Sequence, residues 1–222
     1  MGRRAGRPPG RGVLTKDEIL AKALAIIDAD GADALSMRRL AAELGVDTMA
    51  IYHHVPGKEA LLSGVAAAVF ATLTIPTVEP ADWRRQVREF ARAYRNLAAS
   101  HPNLTIYLIT HGGMAPQAVL AANETLYAAL LQSGLPPRAA LRAGDLVVDF
   151  VHGFALGESS GRIAPHPERM AATLSRLAGT SGQYPAHATI FAEPAGDREE
   201  SPFEVELELL LEGIEAAARV RP

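Results

Sequence analysis

The side chains with the widest chemical reach in this sequence are seven histidines: His53, His54, His101, His111, His152, His166 and His187. An imidazole can ligate a metal or carry a proton near neutral pH. None of the seven shows the i, i+4 pairing around a Glu that a helical zinc site uses, and no Cys is present to complete a ligand set. No metal site and no cofactor is therefore expected. Asp149 and His152 stand three apart in an otherwise apolar stretch, where they can pair with each other or meet a ligand. Ser159 and Ser160, in "GESSG", lack the strand–turn–helix setting of a nucleophile elbow. An all-helical enzyme using His111, His152 or Asp149 stays open as one reading.

A second chemistry is carried by "ELGVDTMAIYHHVPGKEALL", residues 43 to 62. Thr48, Met49 and Ala50 are short or flexible, and on a helix they would let its backbone come close to a base edge. Thr48 can meet a base edge or a phosphate, and Ala50 can touch a thymine methyl group. Tyr52, His53 and Lys58 suit phosphates, which supply affinity and little sequence information. Arg38, just upstream, is suited to a bidentate contact with guanine.

The elements that would hold these residues are helices, because helical periodicity dominates and strand alternation is scarce. Thr15 and Glu18 form a capping box before an apolar stripe that Gly31 ends. Ser36 caps a shorter helix, "MRRLAAEL", and Gly45 stops it. Asp47 caps "TMAIYHH", which "VPGK" closes, and a fourth helix runs from about 58 to 74. Two short helices joined at a Gly, with Leu40, Leu44, Val46 and Ile51 as a small core, make a helix-turn-helix.

Beyond Pro76 and Pro80, Trp83, Val87, Phe90, Tyr94 and Leu97 share one helix face. Arg84, Arg85, Arg88, Arg92 and Arg95 share another, which reads as a solvated face. Further helices are expected near 116–134 and 137–159, with less regular chain around 107–111 and over 160–201. The chain closes on an amphipathic helix, "SPFEVELELLLEGIEAAA". In that helix Phe203, Leu207, Leu210, Leu211 and Ile214 form an apolar face, and Glu204, Glu208, Glu212 and Glu215 are expected to face solvent.

Composition agrees with a folded helical protein: 222 residues, 48% hydrophobic and 21% charged. The net charge of −3 conceals a basic start, with five basic groups and no acid in residues 1–16. Such a tail hints at a polyanion partner. No secretory signal is visible, and no apolar run is strong enough for a membrane span, so a cytoplasmic protein is expected.

Residues 15–62 resemble the DNA-binding domain of the TetR (tetracycline repressor) family. The likeness is carried by "LSMRRLAAELGVDTMAIYHHVPGKEALL", above all Leu44-Gly45-Val46, Tyr52, His54, "VPGK" and Leu61-Leu62. It implies base-facing roles for Arg38, Thr48, Met49 and Ala50, and backbone-facing roles for Tyr52, His54 and Lys58. "DWRRQVREFARAYRNLAASHP", "LYAALLQSGLPPRAALRA" and "ELELLLEGIEA" are similar to the tetracycline repressor's own subgroup of C-terminal domains. That likeness implies an effector pocket and a four-helix dimer interface.

The expected organisation is thus all-α, with a basic tail at 1–14, a helix-turn-helix domain at 15–62 and an effector-binding and dimerisation domain at 63–222. The expected function is a repressor that binds a palindromic DNA operator as a homodimer and is released by a small-molecule effector. Where the subgroup places a His and an Asn for magnesium and tetracycline, this chain has Thr74 and Phe90. A largely apolar effector, bound without magnesium, is expected instead. Its wall would comprise Phe90, Tyr94, Tyr107, His111, Tyr127, Asp149, Phe150 and His152. The dimer seam would use Leu207, Leu210, Leu211 and Ile214 with Gly153 and Gly157, which lie one turn apart and permit close approach.

Overall fold

A computed structural model describes residues 13–76, 78, 82–111, 117–160, 184–192 and 201–219. The expected tail thus lies almost wholly outside the described residues, as does most of 160–201. Among the described residues every regular element is a helix. They divide into two compact units, one within Met1–Leu73 and Asn103–Ala122, the other within Thr74–Pro102 and Asn123–Pro222.

In the first unit, local signals act as anticipated. α1 (Lys16–Asp30) opens on a complete capping box: the Thr15 hydroxyl oxygen accepts from the Glu18 N–H, and the Glu18 carboxylate accepts from the Thr15 N–H. A short 3-10 turn, Ala32–Ala34, leads to α2 (Met37–Leu44), where Ser36 accepts from the Arg39 N–H. Gly45 ends α2 at φ 62°, ψ 39°. Only glycine enters this left-handed region without steric cost, and it turns the chain sharply into α3 (Thr48–Tyr52). α4 (Lys58–Phe70) buries Leu61, Leu62, Val65, Ala66 and Val69 and packs on α1. The expected boundary at 62/63 therefore falls inside a helix whose buried face is continuous.

α6 (Pro102–Thr110) belongs almost entirely to this unit. Its Asn103 side-chain amide donates to the carbonyls of Ile27 and Asp28, each at 3.0 Å, so it serves the open carboxyl end of α1. Irregular chain was expected around 107–111. Helix forms there because Pro102 suits a first helical position and Leu104 and Thr105 are buried despite the β-branched content.

The second unit contains α5 (Trp83–Ser100), α8 (Pro137–Ser159), α9 (Pro185–Ala192), α10 (Pro202–Arg219) and most of α7 (Gln117–Gln132). α9 was not expected. "PAHATIFA" has no amphipathic pattern to betray it. α5 and α8 form the main packing, joined by α10. Gly144 on α8 admits the Tyr127 ring: a Cβ there would stand 2.3 Å from the ring's Cε1.

Two sequence expectations about α5 and α10 are corrected. The arginines of α5 do not form a solvated face, and most of the α10 glutamates do not face away from the chain. Arg84 binds Glu208 and Glu215, Arg88 binds Glu208 at 2.7 Å, and Arg92 grips Glu204 through two bonds of 2.8 and 2.9 Å. Arg95 makes a two-pronged contact with Glu158 of α8. Arg85 and Glu212 are the members left exposed. The hydrogen bond from Arg88 holds the Glu208 carboxyl below the usual carboxylate range against the opposing effect of burial, with Arg84 adding to it. Half-exposed pairs contribute modestly to stability. Their geometric effect is to fix how α10 lies along α5.

The Arg95 guanidinium also lies over two rings, 4.9 Å from the Phe154 centroid and 4.6 Å from that of Phe203. Phe203 is fully buried and meets Phe150 and Phe154 at 5.2 and 5.0 Å between centroids. Among the described residues no helix is long and apolar enough to cross a membrane.

Candidate nucleic-acid interface and effector-domain core

α3 is only five residues long, so its orientation depends on anchoring. Ile51 is fully buried and fastens one side of it to the head. Asp47 accepts from the Met49 N–H at 2.8 Å and starts the helix. The small core differs from expectation in degree: Leu40 and Ile51 are fully buried, whereas Leu44 and Val46 are half-buried and Met37 contributes instead.

On the outer side, Met49 is 61% exposed, while Thr48 and Ala50 are half-buried flanks. Tyr52, His53, His54, Lys58 and Arg38 are exposed. His53 and His54 follow the helix in a turn, because α3 ends at Tyr52. The neighbouring Arg39 plays another part. It is bound to Asp30 of α1 and to Glu43 of α2, and those hydrogen bonds raise its pKa further above the ordinary guanidinium value. Of two adjacent arginines, one holds the head together and the other extends into solvent. Sequence alone offered the i, i+4 spacing of Arg39 and Glu43 as the signal.

In the second unit, Phe90, Tyr94 and His152 form one cluster. Phe90 and Tyr94 are buried with ring centroids 5.9 Å apart, and the Tyr94 hydroxyl is hydrogen-bonded to His152 Nε2. Burial raises the Tyr94 pKa and lowers that of His152, the nearby Asp149 charge opposing only the second. The pairing weighed for Asp149 and His152 is thus replaced by a Tyr94–His152 bond, and Asp149 is exposed. Phe150 stacks in the Phe203 core, and Tyr127 rests on Gly144. Tyr107 and His111 stack on each other at 4.4 Å and belong to the first unit. Phe154 escaped the sequence reading, and Arg95 was placed on a solvated face, because no local pattern marks a ring–guanidinium stack.

The sign of the His152 shift has a measurable consequence. Its folded-state pKa lies below the unfolded value, so the unfolded chain binds the proton first as pH falls. The contribution is absent above the unfolded pKa of about 6.5 and becomes destabilising below it, growing until the folded group also protonates. Melting temperature measured from pH 8 down to pH 5 should fall below that value. His152→Gln should flatten the acid part of the curve relative to wild type; an unchanged pH dependence would assign it to other groups.

Of the residues expected in the dimer seam, Leu207 and Leu211 are fully buried and Ile214 is 4% exposed within the single chain, so their side chains pack into its own core. Leu210 and Gly157 are half-buried and Gly153 is exposed. The large apolar side chains that do face outward on these helices are Leu141 and Leu146 on α8, at 48% and 51%, and Val205 and Leu209 on α10, at 42% and 64%.

Among the described residues no group of three or more His, Cys, Asp or Glu is placed to hold a metal ion. α2 and α3, joined at the left-handed Gly45 and with the outer side of α3 exposed, form a helix-turn-helix.

Comparison with known proteins gives the family. Residues 19–65 match "Bacterial regulatory proteins, tetR family", and residues 75–218 match "Tetracyclin repressor-like, C-terminal domain". A helix-turn-helix-type transcriptional regulator of Saccharopolyspora erythraea is 31% identical over 206 residues, covering 93% of this chain and 86% of that protein. Streptomyces coelicolor ActR in complex with actinorhodin is similar at a TM-score of 0.75 and 32% identity, covering 93% and 99% of the two chains. BioQ with its double-stranded DNA operator is similar at a TM-score of 0.65 and 26% identity, covering 91% and 99%. The chain belongs to the TetR family of transcriptional regulators, which are not enzymes, and the catalytic reading of His111, His152 and Asp149 is dropped.

Proposed function

We propose that the protein is a cytoplasmic repressor that binds a palindromic operator as a homodimer and leaves it when a small molecule occupies the second unit. The observation that carries this reading is α3, anchored inward by Ile51 and presenting Met49 outward, with Arg38 and Lys58 exposed nearby. An exposed recognition helix on a small head is the geometry that enters the major groove. The likeness to BioQ with its operator supports DNA as the partner.

A dimer places two heads at a fixed spacing, which a palindromic operator mirrors. Its seam is assigned to the outward faces of α8 and α10, with Leu146, Gly153, Val205, Leu209 and the half-buried Leu210. The effector reading draws support from the likeness to ActR with actinorhodin. In the second unit, the wall would be Phe90, Tyr94, Tyr127 and Phe150, with the Tyr94–His152 pair as polar anchor and Asp149 nearby. Such a set, aromatic with few polar groups, is how small-molecule sites are usually lined. Tyr107 and His111, also expected in the wall, belong to the first unit. The operator and the effector bias one equilibrium in opposite directions.

The test is selection of bound sequences from random duplex DNA, followed by variants. Arg38→Ala should cost roughly 1–3 kcal/mol on the matched sequence and relax preference at one base pair per half-site. Lys58→Ala should weaken all sequences alike and flatten the salt slope by about 0.9 for each phosphate no longer neutralised. A changed sequence preference in Lys58→Ala, with none in Arg38→Ala, would reverse these assignments. Failure to select any sequence would overturn the function itself.

A further inference from the structure

Sulfur chemistry in this chain is restricted to thioethers, because the sequence has five methionines and no cysteine. Met37 and Met49 are the two among the described residues, and they differ sharply in access. Met37 opens α2 and is 9% exposed, packed into the head. Met49 lies on α3 and is 61% exposed. Side chains advance about 100° per residue around a helix, so Met49, two positions before the fully buried Ile51, stands on nearly the opposite side. Its neighbours Thr48 and Ala50 are short and half-buried, too small to cover it. A thioether open to water is readily oxidised to the sulfoxide, and burial slows the same reaction.

We infer that Met49 is an oxidation site through which a peroxide weakens the protein's hold on DNA. The inference rests on the operator-binding reading above and adds a chemical input distinct from an effector in the second unit. In the step, the Met49 sulfur lone pair attacks one oxygen of hydrogen peroxide, an S–O bond forms and the O–O bond breaks. Sulfur loses two electrons and the peroxide gains them. The departing hydroxide takes up the proton of the transferred oxygen and leaves as water. A flexible apolar side chain thereby becomes a polar one, reversibly, since methionine sulfoxide reductases undo the change. A thioether sulfur is a weak acceptor, whereas the sulfoxide oxygen is a strong one that water solvates in the free head. Docked against DNA it loses that water, and a buried acceptor left unpaired opposes binding. The expected penalty is about tenfold per head, and about a hundredfold with both heads oxidised.

The experiment treats the full chain with hydrogen peroxide and follows oxygen addition at each methionine by peptide mass spectrometry. Affinity for the operator recovered by selection is read in parallel by fluorescence anisotropy. Met49 should gain oxygen well before Met37, and affinity should fall about a hundredfold as it does so. Methionine sulfoxide reductases should restore it. Met49→Leu carries no thioether at this position, and whatever its own affinity, peroxide should leave that affinity unchanged. A second readout needs no variant: saturating operator should slow oxygen addition at Met49. Equal peroxide sensitivity in Met49→Leu, full affinity once Met49 is oxidised, or oxidation of Met49 unaffected by bound operator overturns the inference and leaves the regulator reading standing. Absence of any selected operator before treatment overturns both.

Discussion

Leu209→Asp is expected to sediment as a folded monomer and to lose operator binding. Leu209 is 64% exposed on α10, so an aspartate there meets water in the single chain and leaves its core intact. In the proposed dimer the same position lies in a seam with Leu146 and Val205. Symmetry places two carboxylates there, each buried without a partner. An uncompensated buried charge costs about 3–5 kcal/mol. Two of them weaken association by roughly ten-thousandfold or more. Operator binding should fall with it, because a lone head neutralises only half the phosphates and reads only one half-site. A dimer that persists by sedimentation would place the interface on other elements. The contrast with Leu207→Asp is informative: that residue is fully buried within its own chain, and the change should unfold the second unit outright.

Phe203→Ala should produce the largest loss of folding stability among single side-chain truncations in α10. The ring is fully buried, faces Phe150 and Phe154 at 5.2 and 5.0 Å, and lies under the Arg95 guanidinium. Removing a core Phe typically costs about 3–5 kcal/mol, from lost burial and from the cavity left behind. For a chain of this size that lowers the melting temperature by roughly 6–20 °C. Gln132→Ala, at the exposed end of α7, serves as the control and should stay within about 0.5 kcal/mol of wild type. A cost below about 1 kcal/mol would mean that the aromatic cluster around Phe203 is not close-packed.

Arg39 shows how tertiary packing divides labour between neighbours that sequence treats alike. Its bonds to Asp30 and Glu43 tie α1 to α2 in the head, while Arg38 remains exposed. A reader of the sequence sees two arginines in succession. The difference arises because helical rotation aims one of them at an acid nine residues upstream.

The candidate DNA-reading surface was largely legible beforehand, since its parts are contiguous: the Ser36 and Asp47 caps, the left-handed Gly45, the inward Ile51 and the outward Met49. Each depends on groups within a turn or two of itself. The effector-domain core and the dimer face were not legible to the same degree. The α5 arginines and α10 glutamates each looked like a face turned to solvent, and their matching four-residue spacing was the only sign that they meet. Their partners lie between 112 and 131 residues apart in the chain.

Sequence by itself determined the helical class, the helix ends and the helix-turn-helix, because capping, glycine conformation and apolar periodicity act over a few residues. Tertiary structure alone decided that Leu207, Leu211 and Ile214 belong to the chain's own core and Leu209 to its outside. An amphipathic helix states that it has an apolar face, but which neighbour covers that face depends on packing between distant elements. In α10 that choice is made where the arginines of α5 draw its glutamates inward and the rings of α8 receive Phe203.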